Sequence, residues 1–119
     1  MEMAFERGAR GSVVVKPRGR LDALEAPVFE STLAQRVDDG DVRLVVDFSL
    51  VDYISSAGLR SLLSLVRMTR ARDGGVAVCS LTGVVREVFE ISGFQSFLPV
   101  AETVADAEKT LCSEGNSPA

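Results

Sequence analysis

An uninterrupted apolar run, Leu44-Val45-Val46 within residues 42–48, restricts most strongly what this chain can fold into. A strand without polar alternation is apolar on both faces, as strands are in a parallel sheet covered by helices. Stripes at helical spacing flank the run: Ala26, Phe29, Leu33 and Val37 precede it, and Leu59, Leu62, Leu63 and Val66 follow it. We therefore predict a central strand that is preceded and followed by an amphipathic helix.

The rest of the chain continues this alternation. Before the central strand we predict an edge strand at residues 3–7, a hairpin partner at 12–16 and a helix that begins near residues 22–27. After the second helix we predict a strand at 76–79, a helix at 82–93, a short strand at 98–100 and a helix at 104–112. The order predicts a single α/β domain with an N-terminal β-hairpin, a mixed, mainly parallel sheet of four to five strands and about four helices. We expect the domain to span residues 1–112 and residues 113–119 to form a flexible C-terminal tail.

Composition and charge disfavour several classes of partner. With 119 residues, of which 46% are hydrophobic and 25% charged, the chain is expected to fold alone around one core. Its net charge of −4 disfavours binding to nucleic acid and to anionic membranes. The sequence shows no secretion signal and no apolar stretch of about 18 residues, so we expect a cytoplasmic protein.

The residue types also argue against catalysis. Histidine, the commonest general base and metal ligand, does not occur in the sequence. Cys79 and Cys112 lack the spacing of a zinc or redox pair, and we interpret them as small core residues. The sequence contains no Gly-x-Gly-x-x-Gly, Gly-Lys-Ser/Thr or Gly-x-Ser-x-Gly motif. We therefore expect neither enzyme activity nor a metal or cofactor.

Residues 47–59 lead from the central strand into the second helix, at the sheet edge where α/β proteins place their sites. Ser55 and Ser56 are predicted at the N-cap or just outside it, where hydroxyls accept from free backbone N–H groups. Gly58 leaves the first turn without a Cβ, which would permit close approach by another chain. From the residues alone, a simple helix cap and a modifiable surface both remain open.

A phosphoryl group at this position would add a charge of about −1.5 to −2 and three acceptor oxygens. The helix N-terminus favours an anion by about 0.3–1 kcal/mol, so the free protein tolerates the group. In a docked interface the same group would lose water or face carboxylates, at a cost of about 3 kcal/mol, or roughly a hundredfold in affinity. A phosphoserine here would therefore switch binding off without refolding the chain.

Three segments together resemble the STAS domain family, and bacterial anti-sigma factor antagonists in particular. They are residues 19–22, 47–59 and 85–93, and they follow one another in the order typical of that family. The resemblance covers about residues 3–111 and implies a STAS-like single domain. It also implies a partner switch. The unphosphorylated antagonist binds an anti-sigma factor with serine kinase activity, phosphorylation breaks the complex, and a PP2C-type phosphatase restores the free hydroxyl.

The family's motif commonly reads Asp-Ser-Ser/Thr-Gly, with the first serine phosphorylated. Aligning its glycine with Gly58 implies that Ser56 is the phosphorylation site. Ser55 then replaces the usual aspartate, and Ala57 replaces the second hydroxyl residue. The change removes a negative charge beside the acceptor and makes Ser55 a competing, less favoured acceptor.

The predicted partner-binding residues are Asp22, Ser55, Ser56, Ala57, Gly58 and Arg60. For Asp22 a role as helix cap is favoured over a place on this surface, and Asp47 either orients the Ser56 loop or accepts from turn amides. Arg60 and Arg67 are predicted on the exposed side of the second helix. The competing functional hypothesis is a STAS scaffold without phosphoregulation, such as an accessory subunit of a lipid-transporting ABC complex.

Overall fold

The predicted alternation of strands and helices is present in the computed structural model, which describes residues 1–115 and side chains through Cys112. The elements in that part of the chain are β1 (Glu2–Arg7), β2 (Val13–Leu21), α1 (Ala26–Asp38), β3 (Arg43–Asp47), β4 (Leu50–Ile54), α2 (Ser56–Arg70), β5 (Gly75–Cys79), α3 (Gly83–Ser92), a 3₁₀ turn (Phe94–Ser96), β6 (Val100–Ala101) and α4 (Val104–Gly115). Helix α4 thus continues past the predicted domain boundary at Cys112. The remainder of the predicted tail, residues 116–119, lies outside the described residues.

The sheet has the order β1-β2-β3-β5-β6, with β4 paired to β2. Strand β1 is antiparallel to β2, and the other described pairs are parallel. The central strand is β3, where Val45 pairs with Val14 of β2 on one side and Ala77 of β5 on the other. The predicted mixed, mainly parallel α/β architecture with an N-terminal hairpin is confirmed.

The described sheet has six strands, one more than the four to five predicted, because residues 50–54 form β4. This strand continues the line of β3: Val15 pairs with Val46 of β3, and Arg18 farther along β2 pairs with Leu50 of β4. The register shifts after Gly19, so one residue of β4 is unpaired and the apolar alternation is broken. Strand β4 thereby places the start of α2 beside the carboxyl end of β2.

Helices cover both faces of the sheet, as the uninterrupted apolar run predicted. Alternate residues of β2, β3 and β5 pack in one core cluster with α1, α2 and α3, and the others pack against α4. All four residues of the first stripe are buried. On α2 the buried stripe is rotated, because Leu65 is fully buried whereas Leu59 and Leu63 are only partly so.

The α4 helix also fixes the turn of the N-terminal hairpin through Glu108, whose side chain is 3% exposed. One carboxylate oxygen accepts from the Arg10 backbone N–H at 2.8 Å, and from the Ser12 N–H at 3.1 Å and hydroxyl at 2.8 Å. Burial opposes ionisation of Glu108, but the hydrogen bonds from Ser12 and Arg10 outweigh it and lower the pKa of the carboxyl. A Cβ at Gly8 would lie 2.4 Å from this carboxylate, so a larger residue there would displace Glu108 from its hydrogen bonds.

Candidate functional site

Ser55 is the N-cap of α2, as the sequence predicted for this pair of serines. Its backbone is extended, and its hydroxyl oxygen accepts from the Gly58 N–H at 3.2 Å. The same hydroxyl donates to the Leu21 carbonyl at 3.3 Å, and the Ser55 N–H donates to that carbonyl at 3.0 Å. Ser55 therefore ties α2 to the end of β2, and both hydrogen-bonding functions of its hydroxyl are occupied.

Ser56 is the first residue of α2, and its side chain is exposed. It lies in the first turn, where backbone N–H groups lack intrahelical acceptors and the helix dipole is positive. Within residues 1–112, no protein partner is recorded for its hydroxyl. Of the two adjacent serines, Ser56 is thus the one presented to an external molecule.

Gly58 lies where α2 meets the sheet. It is buried, and a Cβ there would lie 2.8 Å from Ile54 Cγ1 and 2.9 Å from the Leu21 carbonyl oxygen. The close approach that glycine permits is made by the chain's own strands β2 and β4. The structure thus gives Gly58 a packing role within the chain, because the helix lies tightly on the sheet at this point, and its predicted contact with a partner stays a prediction.

Asp22 stabilises the turn before α1 and does not cap that helix. One carboxylate oxygen accepts from the Leu24 N–H at 3.1 Å and the Glu25 N–H at 3.0 Å. The N-cap of α1 is Glu25, whose carboxylate lies 2.7 Å from the Met1 ammonium group. Asp22 is half-buried and follows Leu21, whose carbonyl binds Ser55, so it lies next to the residue that anchors the Ser55 cap.

Asp47 acts on the turn after β3. It is 5% exposed, and one of its oxygens accepts from the Ser49 N–H at 2.9 Å. Its other oxygen lies 3.7 Å from Lys16 Nζ. Of the two roles left open for this carboxylate, the structure supports acceptance from a turn amide.

A groove of about 510 Å³ lies between α1 and α2, and its lining includes Ala57, the residue after Ser56. Its lining residues are Ala23, Ala26, Pro27, Glu30, Ser31, Ala34, Ala57, Arg60 and Ser61. Two of the predicted partner-binding residues, Ala57 and Arg60, therefore line the same depression. The α1 side was not predicted, although the small residues at positions 23, 26 and 34 could have indicated it.

Apolar side chains at the start of α1 extend this surface. Leu24 is 80% exposed and Val28 is 45% exposed. Single exposed apolar residues are common on any protein, but exposed apolar side chains that adjoin a groove are typical of binding surfaces. The surface formed by residues 22–28, the groove and Ser56 is hereafter called the switch surface.

The arginines of α2 are exposed, as predicted. Arg60 and Arg67 face solvent, and neither belongs to an ion pair recorded for residues 1–112. Arg60 lies one helical turn after Ser56, whereas Arg67 lies near the other end of the helix. Only Arg60 is therefore part of the switch surface.

Metal ligands, cysteines and long apolar helices are the remaining features that could point to a different kind of site. No group of three or more histidine, cysteine or acidic side chains in them could hold a metal ion. Cys79 is buried, as expected, and burial raises the pKa of its thiol to about 11, whereas Cys112 is only partly buried. None of the helices described is both long and apolar enough to cross a membrane.

Comparison with known proteins identifies relatives along most of the chain. The model of the STAS domain family matches residues 3–107. BtrV of Bordetella bronchiseptica, named as an anti-sigma factor antagonist, is 44% identical over 103 residues, which cover 84% of this chain and 89% of that protein. These matches confirm the resemblance carried by the three sequence segments.

Solved structures share the fold. A Thermotoga maritima protein named as an anti-sigma factor antagonist superposes with a TM-score of 0.85 at 16% identity, over 92% of this chain and 94% of that one. The anti-sigma factor antagonist SpoIIAA in its unphosphorylated form has a TM-score of 0.78 at 20% identity, over 94% and 97% of the two chains. SpoIIAA of Bacillus in the phosphorylated form has a TM-score of 0.69 at 20% identity, over 92% and 98%.

Proposed function

Because the chain belongs to the STAS domain family, we propose that it is an anti-sigma factor antagonist whose switch surface binds an anti-sigma factor with serine kinase activity. The unphosphorylated form binds, and phosphorylation of Ser56 releases it. A PP2C-type phosphatase then restores the hydroxyl. The exchange takes place in the cytoplasm, where ATP is available to the kinase.

The observation that carries this proposal is the difference in exposure and hydrogen bonding between Ser55 and Ser56. Ser55 is half-buried and already donates and accepts hydrogen bonds within the protein. Ser56 is exposed at the start of α2. A kinase can reach its hydroxyl without disturbing the cap, which favours Ser56 over Ser55 as the acceptor.

The covalent step is an ordinary phosphoryl transfer. The Ser56 oxygen attacks the γ-phosphorus of ATP, the bond to the β-phosphate oxygen breaks, ADP leaves and the hydroxyl proton is lost. The phosphatase reverses the modification by hydrolysis, releasing inorganic phosphate. The antagonist supplies only the accessible hydroxyl, and both enzymes are its partners.

Release follows from local charge. In the free protein the added anion lies at the positive end of α2 and in water. In the complex it would have to be desolvated against the partner, at a cost of about 3 kcal/mol, equivalent to roughly a hundredfold loss of affinity. The fold of the antagonist need not change.

A pull-down from cells of the source organism tests the proposal. The native protein, Ser56→Ala and Ser56→Asp are used as baits, with Ser96→Asp as an exposed control outside the switch surface. We expect the native, Ser56→Ala and control baits to retain the anti-sigma factor, and Ser56→Asp to lose it.

The intact mass of the native protein, measured before and after phosphatase treatment, should reveal one phosphoryl group that Ser56→Ala lacks. A partner retained equally by all four baits, with no phosphate on the native protein, would overturn the proposal in favour of a non-phosphorylated scaffold.

A further inference from the structure

Arg60 lies four residues after Ser56 on α2, and side chains at this spacing project from the same face of a helix. Their Cβ atoms are about 5–6 Å apart, which is within reach of an arginine side chain. The arrangement of an acid one turn before a base is also the favourable orientation on a helix. Phosphorylation of Ser56 would create such an acid.

The guanidinium of Arg60 is available for this role. Other arginines are engaged: Arg7 with Asp41, Arg86 with Glu102, Arg70 with the Phe97 carbonyl. Arg60 has no recorded ion pair or hydrogen bond within residues 1–112. Glu30 shares the groove with it, but a Glu30 oxygen accepts from the Ser64 hydroxyl at 3.1 Å.

The neighbouring cations are less suitable. Arg20 stacks on the Tyr53 ring, with its guanidinium carbon 4.2 Å from the ring centroid. Tyr53 precedes Ile54, whose side chain lies beneath α2, so Arg20 and Tyr53 lie on the opposite face of the sheet. Arg67 is eleven residues from Ser56, or about 16 Å along the helix axis.

We infer that Arg60 receives the phosphoryl group of phosphorylated Ser56 and is thereby withdrawn from the groove between α1 and α2. This inference rests on the proposed function for its biological use. The guanidinium pairs with two phosphoryl oxygens through charge-assisted N–H···O bonds. Phosphorylation then acts twice on the switch surface, since it adds an anion and removes a cation on which the partner can bind.

The interaction can be measured without kinase or partner. Phosphoserine is incorporated at position 56 by genetic code expansion, and its phosphorus resonance is titrated with pH in the full chain. Capture by Arg60 stabilises the dianion, so the midpoint in the native background should lie about half a pH unit below that of Arg60→Gln. Arg60→Lys should retain part of the shift, because a point charge remains without the planar fork.

Arg67→Gln is the matched control, since it removes the same charge from the same helix. Its midpoint should equal the native one. A midpoint that is unchanged by Arg60→Gln, or that moves equally with Arg67→Gln, would overturn the inference.

Partner binding separates this inference from the proposed function. With the purified anti-sigma factor, phosphoserine should weaken binding by a larger factor in the native background than in Arg60→Gln, because the variant has no cation to withdraw. Equal factors in the two backgrounds would contradict the withdrawal of Arg60. If phosphoserine has no effect on binding in either background, the proposed function is contradicted. The phosphorus titration would still show whether Arg60 pairs with the phosphoryl group.

Discussion

The polar groups at the two ends of strand β2 differ in burial and in hydrogen bonding. At its start, the hairpin turn encloses the Glu108 carboxylate, which is 3% exposed and accepts from Ser12 and Arg10. At its end, Ser55 is tied to Leu21, but Ser56 stands in solvent. One end has a carboxylate that is charged at neutral pH and already hydrogen-bonded within the protein. The other end has a neutral hydroxyl to which a charged phosphoryl group can be added. Folding should therefore depend on the first end and binding on the second.

The largest expected effect is at the buried end. Glu108→Ala removes the acceptor of hydrogen bonds from Ser12 and Arg10 and leaves the two buried Ser12 donors without a partner, so we expect the free energy of unfolding to fall by about 3 kcal/mol. Urea unfolding at neutral pH measures it. Glu90→Ala, at an exposed position of α3, is the control and should change stability by less than about 0.5 kcal/mol. A loss below about 1 kcal/mol for Glu108→Ala would show that the turn does not depend on this carboxylate.

The same carboxylate predicts a pH dependence. Because its pKa is lowered from 4.5 in the folded state, its contribution is complete above that value and is lost as the pH falls through the folded-state pKa. The difference in stability between the native protein and Glu108→Gln should therefore narrow on acidification below about pH 4. A difference that widens with acid would mean that the pKa is raised instead.

Gly58 belongs to the structural part of the other end. In Gly58→Ala the methyl group would meet Ile54 Cγ1 and the Leu21 carbonyl oxygen, which is itself held by Ser55. Overpacking costs about 1–3 kcal/mol, and we expect the upper end of this range because one of the contacts is with backbone. After the gain in helix propensity of about 1 kcal/mol, the expected net loss is about 2 kcal/mol. Thermal and urea unfolding measure it, with Arg67→Ala as an exposed control. A variant as stable as the native protein would show that α2 can shift away from the strands.

Ser56 is expected to show the reverse behaviour. Ser56→Asp should weaken binding to the anti-sigma factor at least tenfold, or about 1.4 kcal/mol, and Ser56→Ala should retain it. Neither change should alter the free energy of unfolding by more than about 0.5 kcal/mol. Calorimetric titration and urea unfolding of the same preparations provide both values. Loss of stability that matches the loss of binding would make Ser56 another structural residue.

Ser55 gives the smallest effect and the sharpest comparison with its neighbour. Ser55→Ala removes the N-cap hydrogen bond to Gly58 and the bond to Leu21, so we expect stability to fall by about 1 kcal/mol. The variant should still accept phosphate on Ser56. Unfolding and intact-mass measurements test both statements. A phosphoryl group that is absent from Ser55→Ala but present on Ser56→Ala would identify Ser55 as the acceptor.

The sequence predicts well whatever depends on neighbours within a few residues. The four buried positions of α1 follow one helical stripe, and the cap at Ser55 follows from a hydroxyl before an apolar helix. Strand β4 was missed because Asp52 and the register shift break its alternation. Only pairing with β2 makes that segment a strand.

Other features depend on contacts between distant parts of the chain. Glu108 and Ser12 are 96 residues apart, and no local pattern links them. The groove requires α1 and α2 to lie side by side. The packing role of Gly58 could not be predicted for the same reason, because the sequence shows that a Cβ is absent but does not show what occupies the space.

The most direct test compares the unmodified protein with the same protein carrying phosphoserine at position 56, each titrated into the purified anti-sigma factor. We predict that the phosphorylated form is at least as stable as the unmodified one and binds roughly a hundredfold more weakly. Equal affinities would contradict the account, because the exposed hydroxyl of Ser56 would then not control binding.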